Sequence, residues 1–149
     1  QLVATMNFEP IVIGSTPEAK AGSVGLIGLP TWLWAKNPSG TTWGPNTKSV
    51  SLNGVTVTAT GTAKKILWTM GNGHTVACDG PGTPYEGSFG TDPSPTCNYR
   101  YPQPGEYDIT ATVSWSVAWS ASTGESGVIP FQIASRGHLV IGEAQVINR

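Results

Sequence analysis

From Tyr107 to Trp119 the chain alternates without a break. Tyr107, Ile109, Ala111, Val113, Trp115, Val117 and Trp119 share one parity, and Asp108, Thr110, Thr112, Ser114 and Ser116 share the other. Successive side chains of a strand point to opposite faces, so this pattern predicts a long antiparallel strand with one buried face and one wet face. Shorter runs surround it. Residues 49–52 and 55–60 flank Asn53-Gly54. Asn-Gly between alternating runs predicts a hairpin with a type I′ turn, which needs φ > 0 at both central residues. Residues 66–70 predict a further strand, turned by Gly71-Asn72-Gly73 into residues 74–78. Another begins at Tyr99 to Tyr101 and ends in a tight turn at Pro102-Gln103-Pro104-Gly105. Residues 128–134 and 138–147 predict the last two strands, joined near Arg136-Gly137. No segment carries a helical period.

About eight or nine short strands at regular spacing predict an all-β chain, an antiparallel β-sandwich with Greek-key links. Residues 29–149 are the sandwich domain. It opens with a short strand at Trp32-Leu33-Trp34-Ala35, and a loop rich in Gly and Pro follows at residues 37–46. Residues 1–28 differ. Ile11-Val12-Ile13 and Val24-Gly25-Leu26-Ile27 are short apolar runs that each suit a short edge strand, and Pro10, Pro17 and Pro30 keep them short. They predict an extended N-terminal arm that lies on the sandwich or reaches a neighbour.

Composition narrows the function. Charged residues make up 11% of the 149-residue chain and its net charge is −1, against about 25% charged in an average globular protein. Nucleic-acid binding needs a clustered basic face, and Lys64-Lys65 is the only adjacent basic pair. No apolar run is long enough to span a membrane. The chain starts at Gln1, which fits a mature protein after leader removal or a trimmed piece. Cys78 and Cys97 lie on either side of a loop rich in Gly, Pro, Ser and Thr. They predict a disulfide, hence an oxidising compartment and a secreted or cell-surface protein. The alternative is two free thiols in a cytosolic protein. A metal site is disfavoured, because His74 and His138 are the only histidines and no C-x-x-C exists.

Two stretches then carry a resemblance. In Trp68-Thr69-Met70-Gly71-Asn72-Gly73, residues Trp68, Gly71 and Gly73 match the W-D-F-G-D-G stretch of PKD domains. In Tyr99-Arg100-Tyr101-Pro102-Gln103-Pro104-Gly105-Glu106-Tyr107, residues Tyr101, Pro104, Gly105 and Tyr107 match the downstream H-x-Y-x-x-P-G-x-Y. The chain resembles a PKD-type, immunoglobulin-like sandwich over about residues 48–119. Its whole length is also similar to a group of secreted actinobacterial proteins, a likeness carried by residues 29–34, the Gly80–Tyr85 loop and the two cysteines. The resemblance implies a non-catalytic domain with Tyr107 packed across the sandwich onto Trp68. Thr69 and Asn72 stand where the family has Asp, and Tyr99 where it has His. If those carboxylates help bind a cation in some relatives, this chain lacks them.

Other residues suggest chemistry and are weighed against plain readings. Gly124-Glu125-Ser126-Gly127 is similar to the stretch around a serine-protease nucleophile, yet reads as a polar loop between strands. A triad also needs a His held by a buried carboxylate. Asp79, Glu86 and Asp92 share the bridged loop but lack the spacing of a calcium site. Neither cofactor nor catalytic residue is expected. Trp68, Trp115 and Trp119 fall on core parity. Trp32, Trp34 and Trp43 form either an exposed aromatic platform for sugar rings or a buried cap. The expected function is a non-catalytic structural or interaction module. Its partner is a protein or a second copy, met through the arm or edge strands by strand addition. The alternative is a carbohydrate-binding module that meets polysaccharide through the three tryptophans.

Overall fold

In the computed structural model, which describes residues 2–143, the alternating row of residues 107–119 lies within one 17-residue strand, β8 (Gly105–Ala121). Ile109, Ala111, Val113, Trp115 and Val117 are buried, and the intervening residues are partly or fully exposed. β8 is central to a six-stranded sheet that also holds β2 (Gly25–Leu26), β4 (Asn46–Leu52), β5 (Val55–Thr69), β6 (Thr75–Cys78) and β9 (Ser126–Gly142). The order is β2-β9-β8-β5-β4, with β6 pairing the far half of β5. A second sheet has three strands in the order β1 (Val12–Ser15), β3 (Pro30–Lys36) and β7 (Asn98–Arg100). The chain is all-β, with two sheets in a sandwich-like arrangement. A single helical turn, Leu2–Thr5, precedes β1.

β5 and β9 differ from expectation in an informative way. Residues 55–60 and 66–70 are parts of one strand, β5. Its buried parity changes from odd (Ala59, Gly61, Ala63) to even (Ile66, Trp68). A β-bulge makes the change: the register to β8 slips between Ala63 and Lys65. One extra residue, Lys64, returns the apolar set to the core face. Likewise residues 128–134 and the described part of 138–147 are one strand, with residues 144–147 outside the described residues. No turn occurs at Arg136-Gly137; both pair in register with β8. Gly137 is small because a Cβ there would lie 3.3 Å from the Ala19 side chain.

The small sheet covers one end of the large one. The main core joins Ile11, Leu33 and Ala35 to Ile66, Trp68, Met70, Ile109, Val113, Trp115, Leu139 and Ile141. The long strands run past the small sheet into a four-stranded wing made of β4 and the adjoining parts of β5, β8 and β9. A second cluster there, Met6, Ala59 and Val117, is packed by Leu2, Phe8, Trp119 and Phe131. Of the two readings of the arm, the first describes residues 2–28, which lie on the sandwich: their apolar runs supply β1 and β2 to the sheets, and Met6 and Ile11 join buried clusters.

The matched family residues sit at one end of the core. Trp68 and Tyr101 are fully buried. Tyr101 donates its hydroxyl to the Met70 carbonyl at 2.7 Å. Tyr107 stacks on Tyr101 with ring centres 4.2 Å apart, so its partner is Tyr101 and not the expected Trp68. Its hydroxyl reaches back to the Gln103 carbonyl at 2.6 Å, closing the turn before β8 as a tyrosine corner does. Gly71 and Gly73 take positive φ. Asn72 does not; its side chain instead accepts from the His74 N–H and donates to the Tyr99 hydroxyl.

Candidate functional site

The bridged loop decides what the tryptophans can do. Cys78 and Cys97 form a disulfide with Cα atoms 5.8 Å apart. On β3 the odd residues Thr31, Leu33 and Ala35 face the core, so Trp32 and Trp34 share the outer face. The loop folds over that face. Ala35 N–H donates to the Pro81 carbonyl at 2.6 Å, and the Trp32 indole N–H donates to the Asp92 carbonyl at 2.9 Å. Trp32 stacks on Phe89 at 5.0 Å and meets Tyr85 edge-on at 5.2 Å. It is 1% exposed.

The expected platform is therefore not assembled. Trp32 is covered by the loop. Trp34 is half-buried and lies against Gly14 and Gly82, where a Cβ would meet it at 2.2 and 2.8 Å. Trp43 packs on the main core from the other loop, its carbonyl accepting the Ala63 N–H. Of the two readings, burial describes Trp32, and the cover is a third layer outside the small sheet. Alternation alone shows the shared face of Trp32 and Trp34; it carries no signal for a loop folding back over them.

Among the described residues no pair of titratable groups is arranged for base-assisted attack. His138 lies on the wet face of the large sheet, its Nδ1 2.7 Å from Asp108 and its Nε2 2.9 Å from Glu106. Hydrogen bonds to Asp108 and then Glu106 favour the imidazolium and raise its pKa. Both ring nitrogens are occupied by carboxylates, so neither is free to take a hydroxyl proton. His74 Nδ1 is 3.1 Å from the Tyr99 hydroxyl. Ser126 of the Gly124-Glu125-Ser126-Gly127 stretch lies just beyond the hairpin turn closed by Ala121 N–H to the Glu125 carbonyl. Burial pushes the Tyr101 phenol up, and the neighbouring Tyr99 and Tyr107 add to it. Asp79, Glu86 and Asp92 are exposed, and among the described residues no three His, Cys, Asp or Glu side chains are grouped to hold a metal ion.

The strand edges carry backbone groups open to a partner. Asn53 and Gly54 have φ of 53° and 82°, the type I′ turn expected. Such a turn makes Leu52 and Val55 a hydrogen-bonded pair, and pairs alternate along an antiparallel ladder. Lys48 and Val50 thus bond to β5, while backbone groups of Thr47, Ser49 and Ser51 point away from it. Among the described residues nothing pairs with that outer edge. Their side-chain hydroxyls do not cover it either. They turn inward, Thr47 to Thr60, Ser49 to Thr58 and Ser51 to Thr56, at 2.9, 2.8 and 2.7 Å. On β9 the same alternation, counted from Ala121·Glu125, leaves the even residues pointing outward. Pro130 is one of them, so a residue without an N–H interrupts that edge.

Comparison with known proteins agrees with this architecture. The PKD domain matches residues 32–126. The chain belongs to the PKD domain family. No curated protein and no solved structure matches it. PKD domains are in general non-catalytic, immunoglobulin-like modules that mediate protein interactions, usually outside the cell. This PKD domain carries an intramolecular disulfide, and among its described residues no helix is long and apolar enough to cross a membrane.

Proposed function

We propose that this PKD domain is a secreted or cell-surface interaction module, a subunit of an extracellular assembly. Its contacts run through the open strand edges of the wing. The observation that carries the reading is the outer edge of β4, where the backbone groups of three residues meet no partner among the described residues, in a strand that is exposed nearly throughout. A backbone edge is satisfied by another extended chain, which is recognition by strand addition. The disulfide supports an oxidising location. No observation favours the polysaccharide reading, because its platform required Trp32 to be open.

Fractionation of the native protein tests this. The expected result is recovery in an extracellular or envelope-bound complex larger than one chain, with both cysteines resistant to alkylation until reductant is added. Recovery as a free cytosolic monomer with two alkylatable thiols would contradict it.

A further inference from the structure

The edge of β4 has further properties that select its occupant. It is seven residues long, in unbroken register with β5, with no proline. Lys48 is its one charge. Val50 and Leu52 project from the core-side face but lie beyond the cover of residues 2–8, at 49% and 73% exposure. Natural edges are usually blunted by proline, bulges, charge or a covering segment. Here β9 carries such a device, Pro130, and its end is capped by β2. β4 has only Lys48.

We propose that the occupant is the β4 strand of a second copy of this chain, added antiparallel about a two-fold axis at Val50. The inference rests on the reading that contacts run through the open edges. A partner for β4 must offer an unpaired edge of its own, and among the described residues β4 itself is the longest proline-free open edge, seven residues against four in β1 and β6 and three in β7. The register follows from side chains. Centring the axis on Lys48 would place two like charges directly opposite, which is destabilising. Centring it on Val50 makes Val50 and its symmetry mate a non-hydrogen-bonded pair, the closer kind, at about 4.5 Å between Cα atoms. Lys48 then lies opposite Leu52 of the second copy, and its aliphatic stem covers that exposed side chain. Ser49 and Ser51 exchange backbone hydrogen bonds across the join. The two wings become one continuous sheet, and the pairing is closed because it consumes both β4 edges.

The test is sedimentation of the full chain over a concentration series, with cross-linking of Val50→Cys under mild oxidation. The expected result is a monomer–dimer equilibrium and rapid covalent dimer formation by Val50→Cys, since about 4.5 Å falls within disulfide reach. A Thr123→Cys control at the exposed β8–β9 turn should cross-link at least tenfold more slowly. Val50→Lys puts like charges on the axis, and Ser49→Pro removes an N–H that bonds nothing in the monomer. Each should weaken dimerisation at least tenfold while leaving the thermal midpoint of the monomer nearly unchanged. A chain that stays monomeric throughout, open-ended polymer in place of dimer, or equal cross-linking at residues 50 and 123 would overturn the proposal. Native recovery in a larger extracellular complex alongside a monomeric purified chain would sink β4 self-pairing and leave the interaction-module reading standing.

Discussion

A Cβ at Gly82 would lie 2.5 Å from the Leu33 carbonyl oxygen and 2.8 Å from the Trp34 Cα, and φ at Gly82 is +87°. Both obstacles are backbone, so neither moves cheaply. Gly82→Ala should therefore cost about 2 kcal/mol or more, read as a fall in the denaturant midpoint with an unchanged slope. Gly22, also at positive φ but with nothing within 4 Å, should cost less on the same substitution. His138 gives a pH signature. Its folded pKa is raised by Asp108 and Glu106. The stability it contributes is fully present below the unfolded value of about 6.5 and is lost as pH rises through the raised folded value. NMR titration should place the His138 midpoint above about 6.5, and Asp108→Asn should lower it. A His138 midpoint at or below the unfolded value would refute the pairing. Nothing in the residue pattern marked this cluster, because it depends on β8–β9 register across 30 positions of chain.

At the scale of elements, strand existence was legible and strand continuity was not. Period-2 alternation located β8 and the runs around Asn53-Gly54, which marked the hairpin turn, and short apolar runs between turn residues located the other strands of the sandwich. Residues 55–60 and 66–70, expected as two strands, bury opposite parities, and a bulge at Lys64 carries one strand across the change. Deleting Lys64 tests that account. The core set Ile66, Trp68 and Met70 would turn to the wet face or drag the register with it, so the variant should lose cooperative unfolding. Retention of a sharp transition near the parental midpoint would contradict the bulge's role. The split of β9 came from placing a join near Arg136-Gly137; Gly137 instead stays in register with β8, where a Cβ would lie 3.3 Å from the Ala19 side chain and 3.6 Å from Ile13. The disulfide loop is the other element-scale device. Closing a loop across 19 positions contributes about 3 kcal/mol on the chain-entropy account. Cys97→Ser should lose about that much. It should also loosen residues 79–96 from Trp32, read as increased quenching of tryptophan fluorescence by acrylamide. Unchanged quenching would mean that the loop holds its place without the bond.

For the whole molecule, the sandwich class followed from strand number and spacing, and the PKD match over residues 32–126 agrees. The division of labour between its two ends did not follow. One end is a three-layer block of small sheet, large sheet and bridged loop, and it holds the largest buried side chains. The other is a wing with one thin cover and free edges. This asymmetry arises because β8 and β9 are 17 residues long while β3 has seven, and only pairing in space reveals where the excess length goes. An interaction module needs a stable base and a part left unsatisfied, and the two ends supply these separately. Amide hydrogen exchange across β4 measures that claim directly, comparing the dilute chain with its assembled form. The account predicts an alternating pattern in the dilute chain, with Lys48 and Val50 slow and Thr47, Ser49 and Ser51 fast, and the Ser49 and Ser51 amides becoming slow on assembly. Fast exchange at Ser49 and Ser51 in the assembled form would contradict it.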